Sequence, residues 1–279
     1  MNSAAVALID NGSLSAEPHL LLRRIAQEIS GATGIPVEAV SWKHSDRAFL
    51  PDKSRAPVLK TWVQGGRAEG VTDFIFIPCF ISPEGAIAGS LRSDLEELGI
   101  SYSFTDGLSP AVLGLIVAER VRAVIAAQRL TRPEVIVVDH GGPAPISGRV
   151  RNAVAAHAVR ELGASVSRVV AASMETPETG DHPHNLPLFG TALQSIAAEA
   201  AIVAPLFLAP GRHAGPDGDL ERIAKSGSGV PPLRPGDKAA ERRFHGQNGR
   251  LFFADLIGPH PLVSATLAAA LRTHISVPA

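Results

Sequence analysis

Short apolar runs alternate with longer amphipathic stretches along most of the chain. In the first half, apolar runs near residues 5–9, 36–41, 73–77 and 101–104 predict strands. Helical periodicity predicts helices near 18–30, 53–69, 84–98 and 110–128. The second half repeats the alternation, with strands near 135–138, 166–173, 200–208 and 250–254, and helices near 147–162, 186–199, 215–224 and 259–272. Continuously apolar strands joined by helices predict parallel sheets covered on both faces. Pro18, Pro110 and Pro259 stand where helices can begin, because the first turn leaves its N–H groups free in any case.

The halves also match in sequence. Val6-Ala7-Leu8-Ile9 followed by Asp10-Asn11-Gly12 corresponds to Val135-Ile136-Val137-Val138 followed by Asp139-His140-Gly141. Phe74-Ile75-Phe76-Ile77-Pro78 through Pro83 corresponds to Ala201-Ile202-Val203-Ala204-Pro205 through Pro210. Phe104-Thr105-Asp106 through Pro110 corresponds to Phe253-Ala254-Asp255 through Pro259. Three matches in one order, this far apart, indicate duplicated domains rather than the short units of a solenoid. The expected organisation is α/β, with two similar domains, 1–132 and 133–279, each a four-stranded parallel sheet flanked by helices. The stretch from Leu220 to Phe253 is longer than its counterpart from Leu95 to Phe104, which marks an insertion at about 225–249. Two readings of it stand, a surface loop and a flap over the active cleft.

Composition narrows the classes. Lys+Arg 26 against Asp+Glu 27 gives a net charge of −1, so no global basic field is present to hold nucleic acid or an anionic membrane. The single cysteine, Cys79, excludes an intrachain disulfide framework and a multi-cysteine zinc site. The longest apolar stretch, 200–210, is well short of the roughly 20 residues that span a bilayer. No basic segment precedes an apolar core near Met1. The expectation is a soluble, cytoplasmic protein without membrane or nucleic-acid partners.

Ligands of open parallel sheets bind beyond the carboxyl ends of the strands. In the second half those ends supply His140, then Ser173-Met174-Glu175, then Pro210-Gly211-Arg212-His213. Two imidazoles and a carboxylate on one sheet edge suit a divalent transition metal and supply bases for neutral pH. The aligned residues of the first half are Asn11, Lys43 and Ala86, so all three groups are replaced there. That pattern predicts one working half, the C-terminal one, and one degenerate half. No P-loop pattern occurs, so ATP coupling has no sequence support.

At these residues the sequence resembles the class II chelatases of the sirohydrochlorin cobaltochelatase/ferrochelatase type. The resemblance covers both halves. It is carried by Val137-Val138-Asp139-His140-Gly141, by Met174-Glu175, by the segment from Pro205 through Pro210-Gly211-Arg212-His213 to Gly215, and by Leu256-Ile257-Gly258-Pro259-His260-Pro261-Leu262. The family often continues its His-Gly pair with Ser-Arg, whereas Gly142-Pro143 follow here. The resemblance implies ATP-independent insertion of Co²⁺ or Fe²⁺, with Ni²⁺ a further candidate, into sirohydrochlorin or a related tetrapyrrole in cobalamin or siroheme synthesis. It implies His140, Glu175 and His213 as catalytic residues, with His140 and His213 as metal ligands. Gly141 and Arg212 are read from the residues themselves as substrate contacts, with a surface salt bridge the equal alternative for Arg212. Base and ligand roles of the two histidines stay unassigned. A duplicated chain can close a two-domain cleft alone, so a monomer is feasible and the oligomeric state is open.

A second function class is a non-catalytic tetrapyrrole- or metal-binding protein on the same fold; the intact His140/Glu175/His213 set favours the enzyme. A metal-dependent hydrolase finds no His-Glu-x-x-His or Gly-x-Ser-x-Gly pattern. Asp181-His182-Pro183-His184 reads as a solvated polar loop, with metal loading the alternative. Cys79 reads as a small buried hydrophobe, His260 as a helix-terminus residue, and Asp10 and Asp139 as organisers of their turns.

Overall fold

The computed structural model describes residues 4–87, 89–228 and 249–276. They form eight strands and two separate four-stranded parallel sheets. The first sheet holds β1 (Ala4–Asp10), β2 (Glu38–Ser41), β3 (Asp73–Pro78) and β4 (Ser101–Phe104), in the order β2-β1-β3-β4. The second holds β5 (Glu134–Asp139), β6 (Arg168–Ser173), β7 (Ala200–Pro205) and β8 (Arg250–Phe253), in the order β6-β5-β7-β8. The two orders are the same, as duplication predicts. In each, the chain reverses its direction of travel across the sheet after its second strand. The switch point therefore falls between β1 and β3, and between β5 and β7. β5 and β7 are buried along their whole lengths, which is why they are apolar without alternation.

The helices are α1 (Ala16–Thr33), α2 (Leu59–Ala68), α3 (Pro83–Ile87), α4 (Ser90–Glu97), α5 (Pro110–Gln128), α6 (Pro145–Leu162), α7 (Phe189–Gln194), α8 (Asp219–Ser228) and α9 (Pro261–Ser276). Several expected bounds shift. The helix expected over 84–98 is two short helices, α3 and α4. The one expected over 186–199 shrinks to α7 after a 3₁₀ turn at Pro183–Asn185. β7 ends at Pro205 rather than 208, and α8 begins at Asp219 rather than 215. The interval is a loop folded tightly on itself: a Cβ on Gly218 would stand 2.8 Å from the carbonyl oxygens of Arg212 and His213. Most of the insertion expected at 225–249, namely 229–248, lies outside the described residues.

The packed units do not coincide with the repeat. One unit is Met1–Leu108 with Gly258–Ala279, the other Ser109–Ile257. α5 follows β4 in the chain but packs on α6 and β7, and α9 follows β8 but packs on α1 and belongs to the first unit. The expected boundaries, 1–132 and 133–279, follow the repeat; packing exchanges the last helix of each half. Gly114 of α5 explains how close its contact is, since a Cβ there would stand 2.3 Å from Cβ of His157 on α6.

Each unit has its own core. In the first, Trp62 stands edge-on to Phe74 and Phe76, with ring centroids 5.5 and 5.9 Å away. In the second, Ile136, Val138 and Val203 of the sheet are buried together with Phe189 and Leu193 of α7. Cys79 is buried at the end of β3, and burial pushes its thiol well above the usual range, consistent with an inert apolar role. No helix among the described residues is long and apolar enough to cross a membrane.

Candidate active site

His140 follows β5 directly, and His213 lies in the loop after β7. These strands flank the switch point of the second sheet, where ligands of such sheets bind. Glu175 follows β6, on the other side of β5. The structure brings all three together. Nε2 of His140 is 3.3 Å from Oε1 of Glu175, and the His140 and His213 rings meet edge to face with centroids 4.6 Å apart. His140 and Glu175 are substantially solvent-exposed and His213 is partly so, so a ligand can reach them.

Backbone hydrogen bonds fix this convergence. Met174 N–H donates to the Asp139 carbonyl at 2.7 Å and Glu175 N–H to the His140 carbonyl at 3.1 Å, which locks the ends of β5 and β6 side by side. Gly141 is necessary to that lock. Its φ is +86°, and a Cβ would lie 2.0 Å from the Glu175 carbonyl oxygen. Gly12 repeats the arrangement in the first unit, with φ +86° and a Cβ position 1.7 Å from the Lys43 carbonyl oxygen. The close approach accounts for glycine at both places. Gly141→Ala should therefore part the two loops and destabilise the fold by about 2 kcal/mol or more. Calorimetry should show a lowered Tm; an unchanged Tm would contradict the steric argument.

Each imidazole carries a carboxylate. His140 has Glu175 at Nε2, and its Nδ1 lies 3.0 Å from the Gly141 carbonyl. His213 has Asp219 at Nδ1, 2.6 Å away. Asp219 also pairs with Arg222 and lies 3.5 Å from Nε of Arg212. The Arg222 hydrogen bond, aided by His213, holds the Asp219 carboxyl below its usual range. Arg212 is 82% exposed, so its guanidinium is open to an anionic ligand. Beyond β7 and β8, a cavity of about 250 Å³ adjoins the His213 loop, with Pro210, Ala214, Leu220, Phe253 and Leu256 among its walls. Among the described residues no group of three His, Cys, Asp or Glu side chains forms a ready metal cage. The histidines form instead an open pair, each with one carboxylate beside it.

Behind His140 lies a cluster that sequence reasoning missed. Arg151 of α6 is 1% exposed and donates to the Ser173 hydroxyl; Ser173 donates to Oδ1 of Asp139 at 2.6 Å. The same guanidinium reaches the His184 carbonyl at 2.9 Å. Burial raises the Asp139 carboxyl above its usual range although Arg151 opposes this. Asp139, expected to organise its turn, instead joins Ser173 of β6 and Arg151 of α6 through a hydrogen bond and a buried ion pair. Nε2 of His182 bonds the Thr179 carbonyl and Nε2 of His184 the Gly142 carbonyl, both at 2.9 Å. Those bonds make 181–184 a tied polar loop. His260 accepts from Leu262 N–H at 3.2 Å, at the start of α9.

The first unit holds different chemistry at the same places. Lys43, opposite Glu175, lies 3.5 Å from Asp94 and over the Trp42 ring. The place of the Arg151 cluster is taken by Asp10, Ser41 and buried His19, with Ser41 Oγ 3.5 Å from Nδ1 of His19. Burial raises Asp10 to about 6 and lowers His19 to about 4. Folding thus favours the neutral form of both. The Asp10 contribution to stability is lost as pH rises from the ordinary carboxylate range to about 6. The His19 contribution is gained as pH rises from about 4 to the ordinary imidazole range. Between about 4 and 6 the two oppose each other. His19→Leu should leave the Asp10 dependence alone, so its unfolding free energy should fall by on the order of 2 kcal/mol across that window. Urea titrations at both ends check this; a variant as flat as the parent would contradict it.

No protein-family model matches the chain, and no curated protein sequence does. Solved structures do match. SirB from Bacillus subtilis with Fe³⁺ aligns with TM-score 0.63 and 13% identity over 98% of this chain and 96% of its own. The sirohydrochlorin chelatase SirB from Bacillus subtilis subspecies spizizenii in complex with cobalt gives 0.62 and 14%, over 97% and 94%. CbiX, described as the terminal enzyme for biosynthesis of siroheme in denitrifying bacteria, gives 0.57 and 13%, over 99% and 100%. The fold is that of the sirohydrochlorin chelatases. On this chelatase fold the sequence had singled out the residues that converge at the second switch point, and had overlooked Asp219 and Arg151. The Leu95/Leu220 match held a signal for the first of these, because it sets Asp94 opposite Asp219. Nothing in the sequence marked Arg151, whose partners are 12 to 35 residues away apart from its neighbour Asn152.

Proposed function

We propose that the protein is a class II chelatase that inserts Co²⁺ or Fe²⁺, with Ni²⁺ a further candidate, into sirohydrochlorin or a related tetrapyrrole without ATP. The observation that carries this reading is the convergence of His140, His213 and Glu175 at the switch point of a sheet in a chelatase fold. Insertion needs two pyrrole N–H protons removed while the ion exchanges water for ring nitrogens. A neutral imidazole can do either task, as ligand or as proton acceptor. Nε2 of His213 has no hydrogen-bond partner among the described residues, whereas Nε2 of His140 faces Glu175. His213 is therefore the ready ligand or base, and His140 becomes one when the exposed Glu175 swings away. Glu175 then holds positive charge near the ion or carries a proton outward. Arg212 pairs with a substrate carboxylate, and the recess beside the His213 loop takes part of the macrocycle.

The test is a spectrophotometric assay of the purified protein with sirohydrochlorin and Co²⁺, Fe²⁺ or Ni²⁺ in turn. Acceleration above the spontaneous rate with at least one ion is expected. No acceleration with any would overturn the enzymatic reading in favour of a binding protein.

A further inference from the structure

We propose that Asp219 is a positioning residue for His213, fixing its ring as the Nδ1–H tautomer so that Nε2 presents its lone pair to the metal. The inference rests on the metal-handling role given to His213 above.

The geometry is direct. Nδ1 of His213 and Oδ2 of Asp219 are 2.6 Å apart, within the range of a charge-assisted hydrogen bond. A carboxylate can only accept, so the proton between them is on Nδ1, and in the neutral ring Nε2 then carries the lone pair. Asp219 is itself held. Its Oδ1 accepts from Arg222 one turn further along α8, and its backbone N–H donates to the Arg212 carbonyl at 3.1 Å. The next residue, Leu220, donates its N–H to the carbonyl of His213 itself at 3.0 Å. Imidazole and carboxylate are thus joined through both backbone and side chain. Gly215 and Gly218 make this possible, since a Cβ on either would crowd the carbonyls of the same loop.

The duplication supplies an independent comparison. Asp94, set opposite Asp219 by the match of Leu95 with Leu220, accepts from Nε1 of Trp42 at 2.7 Å and lies 3.5 Å from Nζ of Lys43. Both halves keep a carboxylate there that holds a side chain at the sheet's carboxyl edge. Only in the second half is that side chain an imidazole. A partner of this kind typically contributes about 10–100-fold to metal affinity or activity, by fixing the tautomer and raising ligand basicity.

The experiment combines ¹⁵N NMR of the imidazole nitrogens at mildly alkaline pH with Co²⁺ titration calorimetry on the full chain. The His213 signals, assigned by their loss in His213→Ala, should report Nδ1–H in the parent protein and Nε2–H in Asp219→Ala. Asp219→Ala should bind Co²⁺ about 10–100-fold more weakly, and raise the KM for metal without raising the KM for tetrapyrrole. Asp219→Asn, whose amide oxygen still accepts from Nδ1–H, should keep the tautomer and most of the affinity. It also decides the matter if Asp219→Ala does not fold. An Nε2–H tautomer in the parent, or in Asp219→Asn, would overturn the proposal even in a protein that inserts metal. Equal Co²⁺ binding by the parent and His213→Ala would overturn the metal-handling role of His213, and this proposal with it, whatever the tautomer.

Discussion

Alanine at His140 or at His213 should slow metal insertion by about 10²-fold or more, the range lost when a positioned acid–base group is removed. Either change deletes a group that can hold an ion or take a proton. Neither should unfold the protein, because both side chains are partly exposed and neither is a core element. Circular dichroism and Tm should therefore match the parent while initial rates collapse. Asn11→Ala is the internal control. Asn11 holds the corresponding place in the first unit, but an amide is a poor base and a weak ligand for these ions. Its rate should stay within about twofold of the parent, well outside the range of a lost acid–base group. Equal losses in Asn11→Ala and His140→Ala would contradict a single working site.

The second large effect is on stability. Arg151→Met should destabilise the protein by about 3 kcal/mol, since removing one partner of a buried pair strands the other. The guanidinium is 1% exposed and its carboxylate partner, Asp139, is 3.6 Å away and also buried. Because burial already raises Asp139, a proton can replace the lost cation as pH falls. The loss should therefore be smaller near about pH 5 than near about pH 7.5. Urea unfolding at the two values checks both magnitude and sign. Adding Asp139→Asn to Arg151→Met should recover part of the loss. A single variant as stable as the parent would mean that Arg151 is not what holds β5, β6 and the 184–186 backbone together.

Much of this was legible in the sequence because it is local. The central strands of the second sheet announce themselves by continuous apolar runs such as Val135-Ile136-Val137-Val138, because they are buried along their whole lengths. The repeat exposed the duplication, and strand ends carried His140, Glu175 and His213 without need of coordinates. The misread pieces depend on contacts between distant residues. The loop from Leu206 to Gly218 looks like strand and helix in sequence, yet Gly215 N–H and Gly218 N–H bond back along it, at 2.8 and 3.0 Å, to close turns. The split of 84–98 into α3 and α4 falls at Gly89, where no periodicity signals a break. The exchange of α5 and α9 left no trace in the repeat, because each helix has the same sequence neighbours whichever unit it packs into. Arg151 reads as an ordinary polar residue of α6. Only the fold shows that it points inward, toward Ser173 and Asp139.

The most direct measurement is an anomalous difference map from a crystal soaked with Co²⁺. A peak shared by Nε2 of His140 and Nε2 of His213, with Glu175 turned away from His140 or toward the ion, is the predicted result. An ion bound only at His182 and His184, or none near β5 and β7 at saturating Co²⁺, would contradict the assignment of the metal-handling site.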